Sequence, residues 1–144
     1  ALASFLPTFI RDLHASRLTE AMDSVNSISK SAIAYSEGRD LAGSFPSPAP
    51  LTPAEVPRGV VVTDTPGTWD HPTWKALSFD MQVPHRFSYS FDVSVDPARI
   101  SFSAQAHGDL NGDGLTSTFE VRGERRPGQS AVLLPGMLIN REVE

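Results

Sequence analysis

The stretch RFSYSFDVSVDPARISFSAQA, residues 86–106, is the strongest indication of how this chain folds. Apolar side chains occupy alternate positions on both sides of a turn, as Phe87, Tyr89, Phe91, Val93 and Val95 before it and Ile100, Phe102, Ala104 and Ala106 after it. A period of two is the pattern of a strand with one buried face. Pro97 marks the turn between the two runs. The stretch therefore predicts an antiparallel hairpin with one apolar face.

Further strands and a short helix are predicted on either side of the hairpin. TFEVRG, residues 118–123, continues the sheet, and AVLLPGMLIN, residues 131–140, is an apolar strand whose Pro135 and Gly136 suit an edge position. VVVT, residues 60–63, is a short strand candidate. DHPTWKALSF, residues 70–79, predicts a helix with Asp70 as N-cap and with Trp74 and Leu77 facing inward.

The first 38 residues predict one long amphipathic helix, because apolar residues recur at three-to-four spacing from Leu2 to Tyr35. We expect it to end near Gly38, which can adopt the left-handed conformation of a helix C-terminus. Such a helix is too long for a small domain to cover. Its first half is therefore expected to protrude and to expose a stripe made of Phe5, Leu6, Phe9, Ile10 and Leu13. Exposed apolar stripes mark a partner surface or a membrane.

The sequence predicts one globular domain in three parts: the helix at 1–38, a connector at 39–58 and an antiparallel sheet domain at 59–144. The connector is rich in proline and is expected to lack regular structure. The chain begins with Ala1 rather than Met and is apolar from its first position. That beginning is what we expect of a mature or truncated product with an upstream segment missing.

Composition excludes several classes of protein. The net charge of −5 argues against a nucleic-acid partner. The chain has no cysteine, which excludes disulfides, zinc–thiolate sites and a thiol nucleophile. No motif for nucleotide or nucleophile-elbow chemistry occurs, and no small-molecule substrate is expected. The sequence lacks a run of ~20 apolar residues that would span a membrane.

The stretch DLNGDGLTSTFE, residues 109–120, matches the calcium-loop pattern D-x-[DN]-x-[DN]-G-x5-E at every defined position. Calcium prefers six to eight oxygen ligands, and alternate side chains can wrap around it after a sharp glycine turn. The expected metal ligands are Asp109, Asn111, Asp113, the Leu115 carbonyl, Ser117 and a bidentate Glu120. The alternative is a simple turn, since Asp, Asn and Gly are common turn residues.

The loop is not expected to belong to an EF-hand, because the residues before it alternate with period two where an EF-hand has a helix. A single loop beside a strand favours a structural role over signalling. No catalytic constellation can be assembled, since the four histidines are far apart and none forms a metal-binding pair. The chain is therefore predicted not to be an enzyme. The aromatic residues around Trp69 and Trp74 could line a sugar-binding face, but their spacing favours a core.

Several segments together resemble the bacterial type IV pilin and type II secretion pseudopilin family. They are the ALASFLP start, the helical run SRLTEAMDSVNSISKSAIAYSEG, the proline-rich connector, and TWKALSF, PHRFSYSF and AHGDLNGDGLTSTFE in the domain. The resemblance implies an α+β, pilin-like fold in which a long N-terminal helix packs on a small antiparallel sheet with a calcium-type loop. Several pseudopilins use calcium where pilins use a disulfide, and the loop from Asp109 could take that part.

The resemblance further implies a structural subunit of a type IV pilus-like filament or fimbrium. Its expected partners are copies of itself, other pilins and, through the missing upstream segment, the inner membrane. The expected location is a cell-surface filament or the inner membrane and periplasm. The alternative is a secreted, calcium-stabilised binding or adhesion module in which the long helix is a stem.

Overall fold

The computed structural model describes the backbone of residues 2–81, 83–109, 112 and 116–140, and the side chains of these residues except 2–18 and 140. The described helices are α1 (Leu2–Ser36) and α2 (Pro72–Ala76). The described strands are β1 (Ala49–Thr52), β2 (Ser88–Asp96), β3 (Arg99–Gly108), β4 (Ser117–Arg125), β5 (Val132–Leu133) and β6 (Leu138–Asn140).

These six strands form one antiparallel sheet in the order β1-β2-β3-β4-β5, and β6 also pairs with β4. The hairpin predicted from residues 86–106 is confirmed, and its register pairs Tyr89 with Ala106 and Val95 with Ile100. The strand predicted at 118–123 is confirmed as part of β4. The last apolar run forms β5 and β6, which both lie beyond β4 as the edge prediction required.

The fold class predicted from the sequence is wrong. A six-stranded antiparallel sheet is the main body of the described structure, rather than a long helix packed on a small sheet. The sheet is larger than expected for two reasons. The proline-rich connector contributes β1, and the apolar run at 131–140 is divided by Pro135 and Gly136 into two strands rather than one.

Two local predictions are also wrong. The connector was expected to lack regular structure, but Ala49 pairs with Phe91 and Thr52 pairs with Tyr89. Pro50 is compatible with this strand because β1 is at the edge of the sheet, where an N–H group can be absent without breaking a ladder. The stretch 60–63 forms no strand and contributes one antiparallel bridge, from Val62 to His85.

One face of α1 packs on the sheet. Ala21, Val25, Ile28 and Ala32 are completely buried and follow the three-to-four spacing of a helix that covers a core. The helix contacts β3, β4 and β5. It ends two residues before Gly38, whose φ of +74° confirms the predicted left-handed C-terminus. The side chains of the predicted stripe from Phe5 to Leu13 lie outside the described residues.

Aromatic residues fill the rest of the core. Trp74 is fully buried and Leu77 nearly so, as predicted. The ring of Trp69 lies 5.4 Å from those of both Trp74 and Phe79 in edge-on packing, so these aromatics form a core rather than a sugar-binding face. The N-cap of α2 is His71 rather than Asp70, because its Nδ1 accepts a hydrogen bond from the backbone N–H of Thr73 at 3.1 Å.

Two phenylalanine rings lie over glycines of the neighbouring strand. Phe102 pairs with Gly123 across β3 and β4, and a Cβ atom at Gly123 would overlap the Phe102 ring. A Cβ at Gly108 would lie 2.5 Å from Cε2 of Phe87, which is closer than carbon atoms can approach. Both rings are buried by occupying the space that a side chain on the next strand would need.

Candidate functional site

The predicted calcium loop begins at the end of β3, where Asp109 is 1% exposed. Its backbone carbonyl accepts hydrogen bonds from the N–H groups of Gly59, at 2.5 Å, and Gly112, at 3.3 Å. Gly112 has a φ of +74°, a conformation that favours glycine. These bonds fix Asp109 against the segment that follows the connector.

At the other end of the loop, Ser117 is the first residue of β4 and is completely buried. It pairs with Gly108, so the sheet brings the first predicted ligand and Ser117 to the same end of the β3–β4 hairpin. The predicted ligands Asn111, Asp113 and Leu115 lie outside the described residues. The described part of the loop is thus compatible with a site that includes Asp109 and Ser117.

Glu120 is not brought to this end of the hairpin. It lies three residues inside β4, opposite Gln105. Its carboxylate accepts hydrogen bonds from the hydroxyl of Ser103 and, at 3.3 Å, from the amide of Gln105, and it forms an ion pair with Arg122 at 3.5 Å. Its partner Gln105 is four residues before Asp109, which corresponds to about 14 Å along the strand at ~3.4 Å per residue. In this arrangement Glu120 belongs to a polar network on the solvent-facing side of the sheet.

The donor chemistry near Asp109 suits a hard cation, because carboxylate and hydroxyl oxygens are the ligands that calcium prefers. Among the side chains that the structure describes, however, no three His, Cys, Asp or Glu residues lie close enough together to hold a metal ion. A complete calcium site therefore depends on Asn111, Asp113 and the Leu115 carbonyl, which the sequence pattern supplies.

His107 extends the polar network rather than joining the loop. Its Nε2 is 3.0 Å from the amide oxygen of Gln105, and its Nδ1 is 3.1 Å from the hydroxyl of Thr118. Because Gln105 presents an oxygen, Nε2 carries the proton and Nδ1 accepts from Thr118. Desolvation lowers the pKa of His107 below its ordinary value of 6.5, and the nearby carboxylates of Asp92 and Glu120 oppose this shift.

A groove lies beside the base of the loop, with a volume of about 720 Å³. It is lined by the segment that follows β1 and by the end of β3, including Glu55, Val56, Arg58, Val60, Val62 and Asp109. Val60 is 58% exposed and Glu55 is exposed, so the groove presents both apolar and charged atoms to solvent. We refer to it below as the loop groove.

Asp64 and His85 form the one described pair that resembles the acid and base of a catalytic triad. Asp64 Oδ2 is 2.7 Å from Nε2 of His85 and accepts a hydrogen bond from the indole of Trp69 at 2.8 Å. The other nitrogen of His85 donates to the carbonyl of Phe87 at 2.8 Å. The imidazole is completely buried and both of its nitrogens are hydrogen-bonded, so neither is free to take a proton from a nucleophile. The pair joins the two ends of the 64–85 segment, and its bond to Phe87 attaches that segment to the residue before β2.

The described end of α1 nearest the loop is attached by Glu20. Its carboxylate accepts hydrogen bonds from the backbone N–H of Arg86, at 2.9 and 3.2 Å, and from the hydroxyl of Tyr89 at 2.8 Å. Burial is the main cause of a raised pKa for Tyr89, and the negative charge of Glu20 adds to it. The phenol therefore remains a hydrogen-bond donor across the physiological pH range.

The C-terminal end of α1 is attached by Arg125 of β4. Its Nη1 donates to the carbonyls of Ser36, at 3.2 Å, and Arg39, at 2.8 Å, and to the hydroxyl of Ser44 at 2.9 Å. Carbonyl groups at a helix C-terminus lack partners within the helix and carry partial negative charge. The guanidinium of Arg125 therefore supplies hydrogen bonds to these carbonyl groups and offsets their partial negative charge.

Sequence reasoning missed these attachments. The partners of Glu20 are 66 and 69 residues away in its own chain. The bond from Arg125 to Ser36 spans 89 residues. Contacts over such separations leave no local pattern in the sequence.

None of the described helical residues forms a stretch that is long and apolar enough to cross a membrane. Comparisons with protein-family models, with curated proteins and with solved structures each find no match to this chain. The attachment of α1 and the arrangement of the loop are therefore the basis on which a function can be assigned.

Proposed function

We propose that this protein is a structural subunit of an extracellular or periplasmic filament of the type IV pilus kind. Copies of the chain, with other pilins, assemble through the N-terminal half of α1, and the sheet forms the outer surface. The subunit resides in a cell-surface filament or at the inner membrane and periplasm. Calcium at the loop from Asp109 stabilises the domain.

The observation that carries this proposal is the way α1 is held. Glu20 and Arg125 fix its described part to the sheet at two points, with a fully buried apolar face between them. The helix continues without interruption from Leu2, which adds 17 residues before Thr19, or about 26 Å at 1.5 Å per residue. A helix that is rigidly attached to its own sheet at one end can hold that sheet in place within a filament through contacts with other helices at its other end.

The sequence of the N-terminal half supplies an apolar contact. Phe5, Phe9 and Leu13 recur at intervals of four residues, and Leu6 and Ile10 flank them. Residues four apart lie on the same side of a helix, so these residues form one stripe. Packing such stripes between copies would remove them from water, which is the main driving force for association of apolar surfaces.

The proposal is tested by replacing Phe5 and Phe9 with aspartate in the complete chain. We expect wild-type protein to form filaments visible by electron microscopy, and the double variant to remain monomeric with an unchanged melting temperature. Val95→Asp is the matched control, since Val95 is 68% exposed at the end of β2 and should not affect assembly. Filaments that persist in the double variant would refute a helix-based assembly.

The loop groove favours the second candidate, a secreted binding or adhesion module stabilised by calcium, in which α1 is a stem. A cavity of about 720 Å³ is within the size range of ligand sites. The sequence encoded upstream of Ala1 separates the two candidates. A glycine followed by an apolar run of about 20 residues supports a pilin, whereas a cleavable signal peptide supports the module.

A further inference from the structure

The segment before α2 is attached to the rest of the fold through His85. Val62 exchanges two backbone hydrogen bonds with His85, at 2.8 and 2.9 Å, and Oδ2 of Asp64 lies 2.7 Å from the His85 ring. Residues 60–70, all of which the structure describes, bury one side chain, that of Trp69, and its indole also bonds to Asp64. We refer to residues 60–70 as the arm. Its backbone and side-chain bonds thus meet at His85.

The hydrogen bonds of His85 indicate its protonation. Nδ1 lies 2.8 Å from the carbonyl oxygen of Phe87, which can only accept, so this nitrogen carries a proton. Nε2 faces Oδ2 of Asp64, which also accepts the bond from Trp69. An ionised carboxylate oxygen can accept both bonds, and Nε2 then carries the second proton. His85 is therefore an imidazolium, and 2.7 Å is the length of a charge-assisted hydrogen bond.

The positive charge of His85 is compensated by Asp64. Their side chains are 0% and 6% exposed, so both lie away from water and the pair is neutral as a whole. The Trp69 ring covers the imidazole edge-on, with the ring centres 6.4 Å apart. Loss of one proton from His85 would leave the Asp64 carboxylate facing a nitrogen lone pair. A buried charge without its partner is strongly destabilising, because its lost hydration is no longer replaced.

Among the described titratable groups around the pair, one other titrates in the range of histidine. These groups are Glu20, Glu55, Arg58, His71, Arg86, Tyr89 and Asp109. Carboxylates and guanidiniums ordinarily titrate outside the range of about pH 6 to 9, and burial raises the pKa of Tyr89 above its ordinary value. His71 remains, and its Nδ1 accepts the bond from Thr73 that caps α2. The two histidines have opposite requirements, since His85 needs a second proton and His71 needs a free nitrogen.

We propose that Asp64 and His85 form a pH-sensitive latch on the arm. The closed state holds the second proton of His85, so its advantage is present at lower pH and is lost as the pH rises through the titration of His85. Opening withdraws Asp64 and Trp69 from His85, whereas α2 keeps its own bond from Trp74 to Thr52. The arm also forms one wall of the loop groove, so the latch sets the shape of that wall. The inference does not depend on whether the chain assembles into filaments.

The two indole N–H protons provide an internal comparison. That of Trp69 bonds to Asp64, that of Trp74 bonds to Thr52, and both rings are buried. Their hydrogen exchange is followed by NMR between about pH 6 and pH 9 in the complete, unassembled chain, together with the nitrogen resonances of His85. As His85 loses a proton, exchange at Trp69 relative to Trp74 should rise roughly 10- to 100-fold, the effect of losing one charge-assisted hydrogen bond. The ratio of the two rates removes the intrinsic pH dependence of exchange.

Two substitutions assign the effect to the pair. His71→Asn provides the background, because asparagine is a favourable N-cap and does not titrate. In that background Asp64→Asn removes the carboxylate charge and keeps the size of the side chain. We expect His85 then to carry a single proton near neutral pH. The exchange ratio should be high at every pH, without a step.

Several results would overturn the proposal. One is a His85 with a single protonated nitrogen at about pH 6, or with both protons still present at about pH 9. Another is exchange at Trp69 and Trp74 that rises in parallel, which would indicate unfolding of the whole domain. A step that persists in Asp64→Asn would assign the pH dependence to a different group. If Asp64→Asn does not fold, the titration of the His71→Asn chain decides alone.

Discussion

The attachment of α1 through Glu20 can be measured as a change in stability. In Glu20→Ala, the completely buried Tyr89 loses the acceptor of its hydroxyl and the N–H of Arg86 loses its partner. Hydrogen bonds to charged groups contribute about 1.5–3 kcal/mol each, and a buried donor left without a partner costs about 1–3 kcal/mol. We therefore expect a loss of roughly 3 kcal/mol in the free energy of unfolding. For a chain of this size that corresponds to a melting temperature lower by ~6–12 °C.

Urea unfolding followed by tryptophan fluorescence is a suitable assay, because Trp69 and Trp74 are both buried. Asp23→Ala is the matched control, since Asp23 is an exposed acidic residue on the same helix and should change the stability by less than ~0.5 kcal/mol. A double-mutant cycle with Tyr89→Phe isolates the direct bond. We expect a coupling energy of about 1–2 kcal/mol. Additive effects of Glu20→Ala and Tyr89→Phe, within ~0.5 kcal/mol, would refute the reasoning.

Three further predictions concern the loop, the polar network and the end of α1. Calcium should raise the melting temperature of metal-free protein, with ~2.7 kcal/mol of stabilisation at a calcium concentration of 100 times the dissociation constant. Asp113→Ala should abolish this response, whereas Glu120→Gln should keep it. Equal loss of the response in both variants would show that Glu120 is a ligand of the site. Since the pKa of His107 is lower in the folded state, its contribution to stability is full above pH 6.5 and is lost as the pH falls through 6.5 toward the folded value, because the unfolded state then binds the proton more readily. On acidification the wild type should therefore lose more stability than His107→Asn. A stability difference between the two proteins that does not depend on pH would disprove this. Arg125→Ala should lower the free energy of unfolding by about 2–3 kcal/mol, and Arg125→Lys should recover little of it, because lysine lacks the planar guanidinium group. Replacing the exposed Arg122 with alanine should change the free energy of unfolding by less than ~0.5 kcal/mol. Equal losses in the two alanine variants would be inconsistent with the contacts of Arg125 at Ser36.

The parts of the fold that could be predicted are those encoded by local period. Residues 86–106 alternate with period two, and β2 and most of β3 lie within them as the predicted hairpin. The burial of Ala21, Val25, Ile28 and Ala32 follows equally from helical spacing. In both cases local spacing is sufficient to predict the element, although at the two ends of β2 Ser88 is buried and Val95 is exposed.

The parts that could not be predicted depend on distant partners. β1 contains Pro50 and lies in a proline-rich stretch, and it is a strand because β2 provides a ladder about 40 residues away in sequence. The calcium pattern includes a glutamate six residues after Gly114, but it carries no information about where β4 begins. Because β4 starts at Ser117, Glu120 adopts strand geometry and its side chain is directed to Ser103 and Gln105.

The two rings that lie over glycine have a consequence for how relatives of this chain could be recognised. At Gly108 and Gly123 the missing side chain is replaced by the ring of Phe87 or Phe102. Neither member of such a pair can change alone: a larger residue would collide with the ring, and a smaller residue in place of the ring would leave an empty space in the core. Descendants of a common ancestor should therefore retain or exchange each phenylalanine and its glycine together. The spacings of 21 residues in both pairs, from 87 to 108 and from 102 to 123, give a search pattern that does not depend on the loop or on α1.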